Sequence, residues 1–175
     1  HLLHDSVLQV LVWLQKPDLS DVQLSRWLGS VTARLLAEAR GEEIAPPSLS
    51  VGLGELISAF EFLGVSSQVS STDQLDDVPA DVAICALDIV NEALTNVLKH
   101  STDRSPSVEI ARSGDHQLML RITNVLTDPD ARPRRPGTGT KAMIERALSV
   151  QGDVVCGSES GRFVVAARLP LRVSA

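Results

Sequence analysis

One segment constrains the fold more than any other. Pro79 introduces a run to His100 whose second half, "ALDIVNEALTNVLKHS" over 86–101, repeats Ala, Leu and Val at helical spacing. Proline is pre-set for the first turn of a helix, so the pattern predicts one long amphipathic helix that ends near His100. Its polar side is ordered too. Glu92, Asn96 and Lys99 fall four and three residues apart and share one face, and His100 follows Asn96 by four. A face that only meets water needs no particular identities. The chemical alternative is a cation and phosphate site, in which a carboxylate and an amide give hard oxygen ligands to Mg2+ or its waters. Lys99, one turn on, would neutralise phosphate oxygens as a point charge.

The rest of the chain supplies the surroundings for that helix. A helix is expected from about Leu49 to Leu63, then a short strand near Val65 to Val69, with "STDQLDDVP" as a loop. "SVEIARS" and "QLMLRIT" alternate in the strand manner around Gly114 and Asp115. "NVLTDPDARPRRPGTG" reads as a Pro-rich loop, "TKAMIERALSV" returns to helical spacing, and "GDVVCGS" and "RFVVAARLPL" form a last hairpin around "ESG". The order predicts an α+β sandwich, an antiparallel or mixed sheet covered on one face by helices. Residues 44–175 form this domain.

Residues 1–43 read differently. Leu3, Val7, Val10 and Leu14 are spaced 4-3-4, Pro17 breaks the pattern, and Leu24, Leu28, Val31 and Leu35 repeat it after a possible Ser20–Gln23 capping box. Two such stripes predict a helical hairpin that finds its core by pairing with a second copy as a four-helix bundle, hence a homodimer. "RGEEIAPPSLS" marks the boundary. A net charge of −6 and 3% aromatic residues, none of them Tyr, disfavour a nucleic-acid partner. Cys85 and Cys156 match no metal-ligand spacing and read as buried thiols. No apolar run reaches membrane-spanning length, so no membrane contact is expected of this segment. The first residue is His1, already in a helical pattern. The chain therefore reads as a cytoplasmic piece of a longer protein whose own anchoring stays open.

A resemblance joins three of these stretches. "NEALTNVLKHS" resembles the N box of the GHKL-type ATP-binding domain of sensor histidine kinases. The resemblance implies that Asn96 ligates Mg2+, that Glu92 shares in its shell or polarises a water, and that Lys99 and His100 lie by the phosphates of ATP. "PGTGTKAMIERALSVQGDVVCGSESGRFVVAARLPL" is similar to the same domain's G box and the elements that follow it. Gly137 and Gly139, with Thr138 and Thr140, would let backbone approach the triphosphate at the start of a helix, where free N–H groups favour an anion. "HDSVLQ" resembles the phosphoacceptor motif of one histidine kinase group. His4 would be phosphorylated, Asp5 would orient its ring and take its proton, and Gln9, four residues after Asp5, would position a water for a phosphatase role. The function implied is an autophosphorylating protein histidine kinase of a two-component system that passes phosphate to the aspartate of a response-regulator receiver domain. His1 lacks the following Asp, and His116 takes no role.

The sequence departs from the family at one place. Where Asp-x-Gly-x-Gly is normal before the lid, this chain has Asn124 and Leu126. An Asn oxygen still accepts a hydrogen bond from an adenine amine, without the charge-assisted strength of a carboxylate. Either adenine recognition is weakened or the base is held differently. The loop from Thr127 to Thr138 would be the lid, with Arg132, Arg134 and Arg135 reading as solvated residues. Two competitors follow: a pseudokinase-like dimeric signalling scaffold with a degenerate nucleotide site, favoured by Asn124 and Leu126, and a serine or threonine kinase of the anti-sigma-factor type, against which the His-Asp motif argues.

Overall fold

The computed structural model describes residues 48–71, 75–114, 116–126 and 138–171. The expected hairpin over 1–43, with His4, Asp5 and Gln9, lies outside the described residues, as do Gly137 and all of the expected lid before Thr138. The elements in chain order are α1 (Leu49–Phe62), β1 (Gln68–Ser71), α2 (Ala80–His100), β2 (Ser107–Ser113), β3 (Gln117–Val125), α3 (Thr138–Ser149), β4 (Asp153–Glu159) and β5 (Arg162–Pro170).

The five strands form one sheet in the order β1-β2-β3-β5-β4. β1 pairs with β2 in parallel and every other pair is antiparallel, so the sheet is mixed. Register sorts the side chains into two faces. Val108 lies opposite Ile122, which lies opposite Val165; Ile110, Leu120 and Ala167 form the next row. All six are buried. Glu109, Arg121 and Arg168 alternate with them and are exposed. A sheet with one apolar face needs a cover, and α2 and α3 supply it, with α1 packed on α2.

The long helix is the centre of that cover. Val82, Ile89, Val90, Leu94 and Val97 of α2 are almost wholly buried; Ile89 and Leu94 alone contribute about 3–6 kcal/mol through burial. α1 crosses it closely because Gly52 has no side chain: a Cβ there would lie 2.5 Å from Leu87 Cδ1.

The early strand differs from the sequence expectation of 65–69. α1 ends in a paired cap: Gly64, at φ +82°, donates from its N to Glu61 O, and Val65 N donates to Phe60 O, both at 2.9 Å. Val65 is thereby used to close the helix and packs inward, fully buried. Strand pairing is postponed to Gln68–Ser71, an edge whose four residues are all exposed. At the other end of the fold, β3 runs on through Asn124 and Val125, and α3 already begins at Thr138. The expected loop is therefore shorter than "NVLTDPDARPRRPGTG", and Gly139 is helical. β4 and β5 are joined by Ser160 (φ 50°) and Gly161 (φ 76°), the two positive angles of a tight hairpin turn.

Candidate functional site

Helical geometry places Glu92 and Asn96 on one stripe of α2, and both are half-buried among Ala93, Leu94 and Val97. Lys99 and His100 are exposed in its last turn, where a cation also complements the negative end of the helix dipole. The core packing of α2 thus fixes which way the polar stripe faces.

α3 meets that stripe. Gly139, in the first turn of α3, has its bare Cα against the Glu92 carboxylate: a Cβ built there would overlap Glu92 Oε1 and lie 2.7 Å from Glu92 Cδ. Only glycine fits this register while Glu92 keeps its place. Thr140 follows, half-exposed in the same turn, and Thr138 opens the helix. One turn back on α2, Asp88 Oδ2 lies 3.4 Å from Arg146 Nε of α3. Burial lifts the Asp88 carboxyl above its ordinary range, with Arg146 pulling the other way. Burial first, and Asp88 second, push the Cys85 thiol up to about 11, so this sulfur stays protonated and is no nucleophile near neutral pH. Both cysteines are free, Cys85 buried and Cys156 partly so.

The end of α2 reaches the end of β3. Ser101, just past α2, donates from Oγ to Val125 O at 3.3 Å. Asn124 Nδ2 donates to the same carbonyl at 3.2 Å, and Leu126 N donates to Gly161 O at 3.0 Å. Asn124 keeps Oδ1 as an acceptor. Ser101 and Asn124 thereby meet at one carbonyl, where the end of α2 comes to the end of β3. From Glu92 to Ser101 is roughly 13 Å of helix.

Sequence reasoning missed Asp88, Arg146 and Ser101. Asp88 carried the only available signal, since it precedes Glu92 by four residues and so shares its face. Among the described residues, no group of three or more His, Cys, Asp and Glu side chains could hold a metal by itself. Glu92 and Asn96 offer two oxygen donors, which suits an ion such as Mg2+ that takes one or two protein ligands and fills the rest with phosphate and water. A separate depression of about 570 Å3 between α1 and β1 is lined in part by Leu53, Ile57, Glu61, Val69 and Asp76. It contains none of the predicted residues, and its two carboxylates would repel a triphosphate. Among the described residues, no helix is long and apolar enough to cross a membrane.

No protein-family model and no curated protein sequence matches the chain. Solved structures do. The chain is similar to the blue-light activated histidine kinase of Erythrobacter litoralis (20% identity, TM-score 0.57), over 71% of this chain and 45% of that one. It therefore spans less than half the length of that protein. It is similar to the histidine kinase AdeS of Acinetobacter baumannii (12% identity, TM-score 0.54), over 98% of this chain and 94% of that one. It is also similar to the catalytic domain of the histidine kinase ThkA (9% identity, TM-score 0.57), over 73% of this chain and 96% of that one. At these identities the likeness is one of fold: the five-stranded sheet and three helices have the architecture of a histidine kinase catalytic domain.

Proposed function

We propose that the chain is the catalytic end of a two-component sensor histidine kinase, with a dimerisation and phosphoacceptor hairpin over 1–43 and an ATP-binding domain over 44–175. The observation that carries this reading is the seat of Glu92 on Gly139, which brings the N-box-like helix and the G-box-like turn to one place. Asn96 and Glu92 would hold Mg2+, which when bound offsets phosphate charge. Lys99 and His100 would face the phosphates, and Gly137, Thr138, Gly139 and Thr140 would bring backbone N–H groups to them. Asn124 would accept the purine amine. The γ-phosphoryl group would pass from ATP to the His4 imidazole, forming an N–P bond as the bond to ADP breaks, while Asp5 takes the ring proton. Catalysis is then mainly positioning and charge neutralisation. The partners would be a second copy of the chain, through the N-terminal helices, and a response-regulator receiver domain, with Gln9 positioning a water that hydrolyses the receiver's aspartyl-phosphate to inorganic phosphate.

The test is incubation with labelled Mg·ATP of the natural chain, His4→Gln and Asn96→Ala. Acid-labile label on the natural chain alone is expected; equal labelling of all three would remove the mechanism.

One observation favours a second reading, an inert dimeric scaffold. Asn124 and Leu126 stand where the family has Asp and Gly, and each is tied locally, Asn124 Nδ2 to Val125 O and Leu126 N to Gly161 O. Titration calorimetry separates the two readings, since a scaffold gives no heat with Mg·ATP even at millimolar concentration.

A further inference from the structure

We propose that Asp88 and Arg146 are positioning residues, an ion pair between helices that sets the register of α3 on α2 and so keeps the start of α3 seated on Glu92. The inference rests on the nucleotide reading above and gives that site a support which the resemblance did not name.

Two rungs join the helices. One is the 3.4 Å pair between Arg146 Nε and Asp88 Oδ2; the other is the bare Cα of Gly139 against the Glu92 carboxylate. Asp88 and Glu92 are one turn apart on α2, and Gly139 and Arg146 are two turns apart on α3, so each pair lies on one stripe. The later residue on one helix meets the earlier on the other, so the two helices run antiparallel here. At the helical rise the rungs are roughly 6 Å apart along α2 and roughly 10 Å apart along α3. A helical side chain leans toward the N-terminus of its own helix, and the long Arg146 side chain closes that difference.

Register matters because α3 has one glycine. A slide of one residue in either direction would bring Thr138 or Thr140 to the place of Gly139. Each carries a Cβ that would push the Glu92 carboxylate out of its place. A single rung would let α3 pivot; a second one, fixed at a distance, removes the pivot. Met143, wholly buried between the two, holds the apolar side of the same stripe.

Stability alone does not account for the pair. Burial raises the Asp88 pKa in spite of Arg146 beside it, so the charged carboxylate is disfavoured where it sits. The role assigned to this pair is therefore the arrangement that it specifies.

The test is Mg·ATP titration calorimetry on the full chain and on Asp88→Asn, Arg146→Gln, Arg146→Lys and the exchange Asp88→Arg with Arg146→Asp, each with a thermal melt. The neutral variants are expected to weaken binding about five- to tenfold, a coupling typical of residues in one network, with no matching fall in Tm. Arg146→Lys, which keeps the charge, or the exchanged pair is expected to recover most of the affinity. If the natural chain binds and the neutral variants bind within about twofold of it, the positioning role is overturned while the nucleotide reading stands. Failure of both rescues, or a loss of affinity that only follows a loss of Tm, overturns it equally. If the natural chain binds no Mg·ATP, the nucleotide reading falls and the positioning role falls with it.

Discussion

Replacing Gly139 by alanine separates the cost to the fold from the cost to the chemistry. The added methyl would overlap Glu92 Oε1 and lie 2.7 Å from Cδ and 3.3 Å from Cγ. All three atoms belong to the outer part of a flexible, half-exposed side chain, so the carboxylate yields before the backbone does. Pushing a side chain off its rotamer costs about 0.5–1.5 kcal/mol. Against this, alanine is favoured over glycine inside a helix by about 1 kcal/mol. The two nearly cancel, and a residual of about 1 kcal/mol or less moves Tm by no more than about 4 °C. Turnover is another matter on the proposed reading, in which Glu92 holds Mg2+ with Asn96 and a displaced carboxylate would misplace the ion. The expected result of a labelled Mg·ATP assay is a loss of about a hundredfold, with a circular-dichroism melt close to that of the natural chain. The control is the same change on a Glu92→Ala background, where no carboxylate is left to collide. There the glycine substitution is expected to cost nothing further. An equal loss on both backgrounds would show that Gly139 acts without Glu92 and would refute the reasoning.

Three further outcomes are expected. On the proposed reading, Asn124→Asp replaces a neutral acceptor of the purine amine by a charge-assisted one, a gain of about 1 kcal/mol, so Mg·ATP should bind about fivefold more tightly by calorimetry. Gly152→Ala places a Cβ 2.7 Å from Arg168 O, a backbone atom that cannot swing away; a cost of about 1–3 kcal/mol should lower Tm by about 2 °C or more. The Asp88 pKa is raised in the folded chain from an ordinary 3.8. Its contribution to stability is therefore full below the unfolded pKa and is lost as pH rises through the folded one. Asp88→Asn should flatten that part of the curve in urea melts taken from about pH 3.5 to 7; an unchanged slope would contradict the assignment.

Sequence spacing sufficed wherever local chemistry and tertiary packing agree. The long helix announced itself because its buried residues recur at helical spacing, and the two hairpins did so because alternation and turn residues coincide. β1 was misplaced for the opposite reason. Val65 looks like a strand residue but closes a helix cap, and Gln68–Ser71 lies at an exposed sheet edge, where no apolar alternation marks it. The stripe of Glu92, Asn96 and Lys99 was legible because its members are neighbours along one helix. The Asp88–Arg146 pair was not, since its partners come together only when α3 docks. The close approach of Gly139 to a carboxylate was equally hidden, because a glycine in a sequence does not say what needs its empty space.

The long helix serves two masters. Ala93, Leu94 and Val97 anchor the interior on the same turns that display Glu92 and Asn96. A single inserted residue there would swing everything beyond it by about 100°, wrecking foundation and tool together. Exchanging one displayed side chain would blunt the tool and leave the foundation standing. Descendants of this chain can therefore fall silent letter by letter while keeping their shape, but they cannot change the length of this helix between those anchors.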